Sequence, residues 1–223
     1  MTPGFIAAST FLLVTGSGAL AQIVKLRQRE REWTEGAIGE EEIYAGLHPL
    51  REIWSLTAFL LFALSGLTRS EVDPYLIGSR TPVIILTTII IALLARHAAP
   101  RADRYLVYAV GGNALLWCGF CVVGAGVDLA NSPLRLLIDW TLGIVSFILF
   151  YAKLDQARLM LRERKSAAVA WAREIGFMVK DLSGLWYAVT VGGSLFFIGF
   201  THTLSLLSAA AICFAKLRLE RVR

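Results

Sequence analysis

Long apolar runs alternate with short charged segments along this chain. Phe5 to Val24 contains no Asp, Glu, Lys or Arg and has about the 20 residues that a helix needs to cross a bilayer. Further apolar runs lie at Ile53–Leu67, Pro82–Leu94, Tyr105–Val127 and Leu136–Ala152. Leu182 to Ala215 is uncharged throughout and too long for one span, so the pattern divides it near Gly199 to His202. Seven transmembrane helices are predicted. Ala19-Leu20-Ala21 has the small-residue pattern of a leader cleavage site, but no Lys or Arg precedes the run, which reads as a retained span.

Composition agrees. Of 223 residues, 56% are hydrophobic and 17% charged, and the mean hydropathy is +0.62, more apolar surface than one soluble core can hide. The expected partner is the lipid bilayer. A pI near 9.3 invites a nucleic-acid reading, but the basic residues fall between the apolar blocks, as charges that fix membrane orientation do. With the N-terminus outside, all Lys and Arg residues except Arg69, Arg80 and Arg135 fall on the cytoplasmic side together with the C-terminus. This predicts an integral protein of a bacterial inner membrane, with no nucleic-acid partner. Three cysteines supply no disulfide framework.

The chain also repeats itself. Leu20 and Gln22 close one apolar run and Leu154 and Gln156 another, each followed by a basic segment, Leu26-Arg27-Gln28-Arg29 or Leu161-Arg162-Glu163-Arg164. Each segment leads through a tryptophan (Trp33, Trp171) to a basic-acidic-aliphatic triplet, matched as Arg51-Glu52-Ile53 with Lys180-Asp181-Leu182. Tyr105–Val127 has no counterpart. Duplication in an apolar chain points to a transporter scaffold more than to an enzyme. The expected division is a first three-helix bundle over 1–97, a linker helix over 98–130 and a second bundle over 131–223.

Two three-helix units joined by a linker, each with a glutamine dipeptide closing its first helix, resemble the PQ-loop and SWEET superfamily. Here the dipeptides are Ala21-Gln22 and Asp155-Gln156, and both motif prolines are replaced. The resemblance implies an all-α membrane protein with two parallel repeats in a 3+1+3 arrangement, moving a small polar solute by alternating access. In the sugar-transporting branch the third helix of each repeat carries Asn and Trp. Neither Pro82–Leu94 nor Thr203–Phe214 contains one, so sugar is not the favoured solute. Nicotinamide riboside transporters share the helix arrangement with the opposite orientation, which the charge distribution disfavours.

Polar groups inside spans are the candidate solute ligands, because an unpaired one in hydrocarbon costs roughly 1–3 kcal/mol. The expected set is Asn113 and Trp117 from the linker, Trp54 and Ser55 from the second span, and Ser183, Trp186 and Tyr187 from the sixth. Gln22 and Gln156 are read as a helix-to-helix pair or, alternatively, as solute ligands, and Glu52 and Asp181 as carboxylates heading helices, where they complement the dipole. Asp139 is expected as a solvated carboxylate at the outer interface. The rival is Trp117-Cys118-Gly119-Phe120-Cys121, the spacing of a redox dithiol, which would make the chain a membrane thiol oxidoreductase. Two small apolar thiols are the plainer reading. A non-transporting receptor or scaffold on the same fold is a third alternative. His48, His97 and His202 show no metal-ligand spacing, so neither metal nor cofactor is implied and the expectation is a non-enzyme. Homo-oligomerisation is left open.

Overall fold

The computed structural model describes residues 3–68, 74–97, 102–124, 133–166, 168–191 and 196–221. They form seven α-helices: α1 Pro3–Thr34, α2 Pro49–Leu67, α3 Pro74–Arg96, α4 Ala102–Gly124, α5 Pro133–Glu163, α6 Trp171–Val191 and α7 Phe196–Arg221. A single 3-10 turn, Glu40–Glu42, interrupts the first connection. Helices α1, α2, α3 and α5 open on proline, whose fixed φ suits the first turn and whose missing N–H would have had no helical partner there. Five helices, α1, α2, α3, α5 and α7, are long and apolar enough to cross a membrane, and α4 holds a shorter apolar stretch, Leu106–Val122. Helix α6 departs from that pattern because it carries Arg173, Glu174, Lys180 and Asp181.

The third helix of each unit packs on the other two: α3 on α1 and α2, α7 on α5 and α6. Across the middle, α1 meets α6 and α2 meets α5, so each contact has a counterpart under a pseudo-twofold exchange. Among the described residues, α4 touches only α2 and α3. Its Val107, Tyr108, Leu115 and Trp117 face outward, as do Leu136, Trp140 and Ile144 of α5. In a membrane these faces meet lipid, where an apolar side chain is at no disadvantage.

Several boundaries differ from the sequence expectation. Helices α1 and α5 run past their apolar runs and carry the basic segments as extra turns, held in α1 by Arg27–Glu30 at 2.7 Å and Gln28–Glu32 at 3.0 Å. Helix α6 starts at Trp171, well before Leu182. Helix α6 is described to Val191 and α7 from Phe196, so Gly199 to His202, expected as the break, are inside α7. Pro82, expected at the head of a span, lies inside α3.

Candidate functional site

The α1–α6 seam is close because two glycines meet backbone there. A Cβ on Gly176 would lie 2.5 Å from the Val14 carbonyl oxygen, and one on Gly18 would lie 2.8 Å from the Arg173 Cα. This approach carries the first turns of α6, and their charges, into the interior between the two units.

Arg51-Glu52 sits in the first turn of α2 and Arg173-Glu174 in the first turn of α6. Each arginine pairs with the other unit's glutamate. Arg173 donates from Nη1 to Glu52 Oε1 at 2.8 Å and from Nη2 to Oε2 at 2.5 Å, a bidentate fork. Arg51 donates from Nη2 to Glu174 Oε1 at 2.6 Å and from Nη1 to Gln156 Oε1 at 3.1 Å. All four charged side chains are buried, so each is held by its partner and not by water. The tripeptide Arg-Glu-Ile occurs at 51–53 and again at 173–175. It corrects the earlier matching: the counterpart of Arg51-Glu52-Ile53 is Arg173-Glu174-Ile175, and Lys180-Asp181-Leu182 lies deeper in α6. Glu52 does head a helix, but its partner is an arginine from across the seam. Asp181 heads none.

The connections that precede α2 and α6 meet at the same end. Gln22 donates to the Ala168 carbonyl at 2.7 Å and accepts from the Ala170 N–H at 3.1 Å, so it reads the second connection and does not pair with Gln156. The Ala168 N–H donates to the Ala45 carbonyl at 3.2 Å. Next to it Gly46 has φ +85°, and a Cβ there would lie 2.8 Å from the Lys165 carbonyl oxygen, so glycine meets both the backbone and the space requirement. His48 and Asp155 approach to 3.7 Å, and Lys216 donates to the Val169 carbonyl at 2.9 Å. Together with the two ion pairs, these contacts close the connector end.

Below the ion pairs lies a narrow cavity between α2, α5, α6 and α7, lined by Ser55, Ser146, Lys153, Lys180, Thr201 and Ser205 and walled by phenylalanines that include Phe59 and Phe177. It has about 20 Å³ of room, enough for one water. The Phe177 ring has four cations around it, with Lys153 at 4.8 Å, Arg173 at 5.4 Å, and Arg51 and Lys180 at 5.5 Å from its centroid. Lys180 pairs with Asp181, whose same oxygen lies 2.8 Å from His202 Nδ1. His202 occupies the space that the missing Cβ of Gly184 leaves, and its ring stacks on Phe62. At the far end of the seam, Ser65 donates to Asp139 at 3.3 Å, so Asp139 joins α5 to α2.

Of the expected solute ligands, Ser55 lines this cavity. Trp54 packs with Ala58, Val145 and Leu149 where α2 meets α5. Asn113 donates to Thr88 Oγ1 at 3.0 Å and to the Ala109 carbonyl at 2.7 Å, which fastens α4 to α3. Trp117 and Trp186 are exposed on outer faces, Ser183 is half-buried, and the Tyr187 side chain lies outside the described residues. Cys118 and Cys121 are exposed free thiols on α4, and Cys213 belongs to α7, which α4 does not touch among the described residues. The sequence reading missed Lys153, Arg173, Glu174, Lys180 and His202. The Arg-Glu-Ile repeat was the available signal for the first pair of units, and a lysine one turn before Gln156 on the same helix face was the signal for Lys153.

No family model matches the chain, and no curated protein does. A solved structure of a eukaryotic SWEET transporter superposes with a TM-score of 0.60 at 18% identity, covering 99% of this chain and 100% of that one. The chain is thus a seven-helix, all-α membrane protein with the fold of a SWEET transporter.

Proposed function

We propose that this protein is a PQ-loop/SWEET-like transporter that moves a small polar solute across a bacterial inner membrane by alternating access, with the connector end as its cytoplasmic gate. The observation that carries the reading is the reciprocal Arg51–Glu174 and Arg173–Glu52 pairing. Ion pairs joining two repeats above a polar cavity form a closure that can be undone as a unit, since opening lets water reach all four charges at once. Residues 1–97 and 131–223 are the moving bodies, with 98–130 riding on the first. Gln22 and Gln156 take part in the closure through their hydrogen bonds to Ala168, Ala170 and Arg51, which supports reading Ala21-Gln22 and Asp155-Gln156 as the motif dipeptides. Ser55 and the cavity residues around Lys153 are the proposed solute contacts.

The test is a reversible lock. Ala45 and Ala168 are joined by a backbone hydrogen bond across the closed end, so cysteines at these two positions, in a chain without its native thiols, are placed to cross-link. Proteoliposomes are loaded in parallel with a radiolabelled hexose, a zwitterionic amino acid and a hydroxy acid. The expected result is saturable uptake of one of them, abolished by oxidation and restored by reductant. No saturable uptake of any, or uptake indifferent to the cross-link, removes the transporter reading.

A further inference from the structure

Among the described residues, three ion pairs lie around the cavity, and one lysine that lines it stands outside them. Arg51 is matched by Glu174, Arg173 by Glu52 and Lys180 by Asp181. Lys153 is 1% exposed, and among the described residues no carboxylate lies within ion-pair distance of it. Its ammonium donates to Ser205 Oγ at 2.8 Å, and the Lys180 ammonium approaches the same oxygen at 3.4 Å. One neutral hydroxyl therefore bridges two buried ammonium groups, a place where a negative charge would be held from two sides. Asp181 does not line the cavity: its Oδ1 is engaged by Lys180 and His202, and its Oδ2, buried without a hydrogen-bond partner, is not within ion-pair distance of Lys153. Facing the lysines across the cavity, Ser55 Oγ is buried with no hydrogen-bond partner.

On these grounds we infer that the cavity binds a small monocarboxylate, its carboxylate seated between Lys153 and Lys180 over Ser205. The inference rests on the transporter reading for its direction of use, but not for the site itself. Lys153 and Lys180 converge on one hydroxyl and Lys180 already has Asp181, so the seat suits a single carboxylate, which a neutral sugar does not offer. The walls of phenylalanine suit a short carbon skeleton, and the orphaned Ser55 hydroxyl gives a second polar group on that skeleton a partner. As the structure stands there is room for about one water, so a solute enters when the two units part and the ion pairs above Phe177 release.

The probe is lactate, with lactamide as its neutral isostere. Binding is measured by calorimetry on the full chain in detergent, and counterflow of radiolabelled lactate is measured in proteoliposomes at alkaline pH, where passive entry of the free acid is slow. Lactate is expected to bind and lactamide not to. Lys153→Met should weaken lactate binding roughly tenfold or more, because a hydrogen bond to a charged group is lost, while Lys153→Arg should retain most of it. If Lys153→Met does not fold, Ser205→Ala carries the test: it keeps both charges, and a severalfold loss of lactate affinity is expected. Equal binding of lactamide, no lactate binding to the native chain, or unchanged affinity in Lys153→Met or Ser205→Ala overturns the anion site. Lactate binding without counterflow keeps the site and removes transport. Cross-link-gated uptake of a neutral solute with no lactate binding does the reverse.

Discussion

Removing one partner of the Arg173–Glu52 pair should both weaken the closed protein and open it. Arg173 is 3% exposed and Glu52 0%, and the fork between them is bidentate at 2.8 and 2.5 Å. Arg173→Met leaves Glu52 charged in the interior, with Arg51 already committed to Glu174 and Gln156. Orphaning a buried charge costs about 3–5 kcal/mol. In an open state water reaches Glu52 and the penalty lapses, so the same energy favours opening. At 1.4 kcal/mol per factor of ten this is a shift of roughly 10²-fold to a few thousandfold toward the open form. The reporter is a cysteine at Ser55, which is 1% exposed when the connector end is shut, in a chain whose three native cysteines are replaced. A charged thiol reagent should modify it far faster in Arg173→Met than in the parent. The double variant Glu52→Leu/Arg173→Met has no orphaned charge and should recover most of the thermal stability, a coupling of about 2–4 kcal/mol. A Ser55 cysteine that reacts within about twofold of the parent rate in Arg173→Met refutes the gate. A double variant no more stable than the single would refute the pairing as the cause.

Three further outcomes follow from the packing and the charge pattern. Gly176→Ala puts a methyl 2.5 Å from the Val14 carbonyl oxygen, so α1 and α6 must separate, and the melting temperature should fall by the equivalent of about 1–3 kcal/mol; an unchanged melt would mean that the seam is looser than described. Replacing Cys118 and Cys121 together with alanine should change stability by no more than about 0.5 kcal/mol, because both side chains are on an exposed face, and should leave solute uptake intact. Loss of a disulfide-exchange activity in that variant would favour the oxidoreductase alternative instead. Cysteines at Gly4 and Gly39 should label from opposite sides of the membrane, Gly4 from outside and Gly39 only after permeabilisation, and the reverse result inverts the proposed orientation.

The sequence by itself determined the number of helices and where most of them begin, because a bilayer span demands a run of apolar side chains whatever packs beside it. It also showed the duplication and that Gln22 and Gln156 hold equivalent places at the ends of two apolar runs, although both helices continue past them. It could not place the charges. By the rule that basic residues flank spans, Arg51, Lys153, Arg173, Lys180 and Lys216 belong in or beside loops, yet all five are buried. A charge can enter the interior only where a partner meets it. Those partners come from helices far apart along the chain: Glu174 for Arg51, Glu52 for Arg173 and Ser205 for Lys153. The same reason explains the misplaced start of α6. A helix bearing Arg173, Glu174, Lys180 and Asp181 reads as a loop until α2, α5 and α7 supply the groups that make its burial affordable. Tertiary structure also decided which aromatic rings face the cavity and which face lipid, since Trp117, Trp186 and Phe177 have the same hydrophobic character and only the packing of their helices separates them. Local sequence fixes what can span a membrane, while the interior of the spanning bundle is fixed by pairs that only the fold brings together.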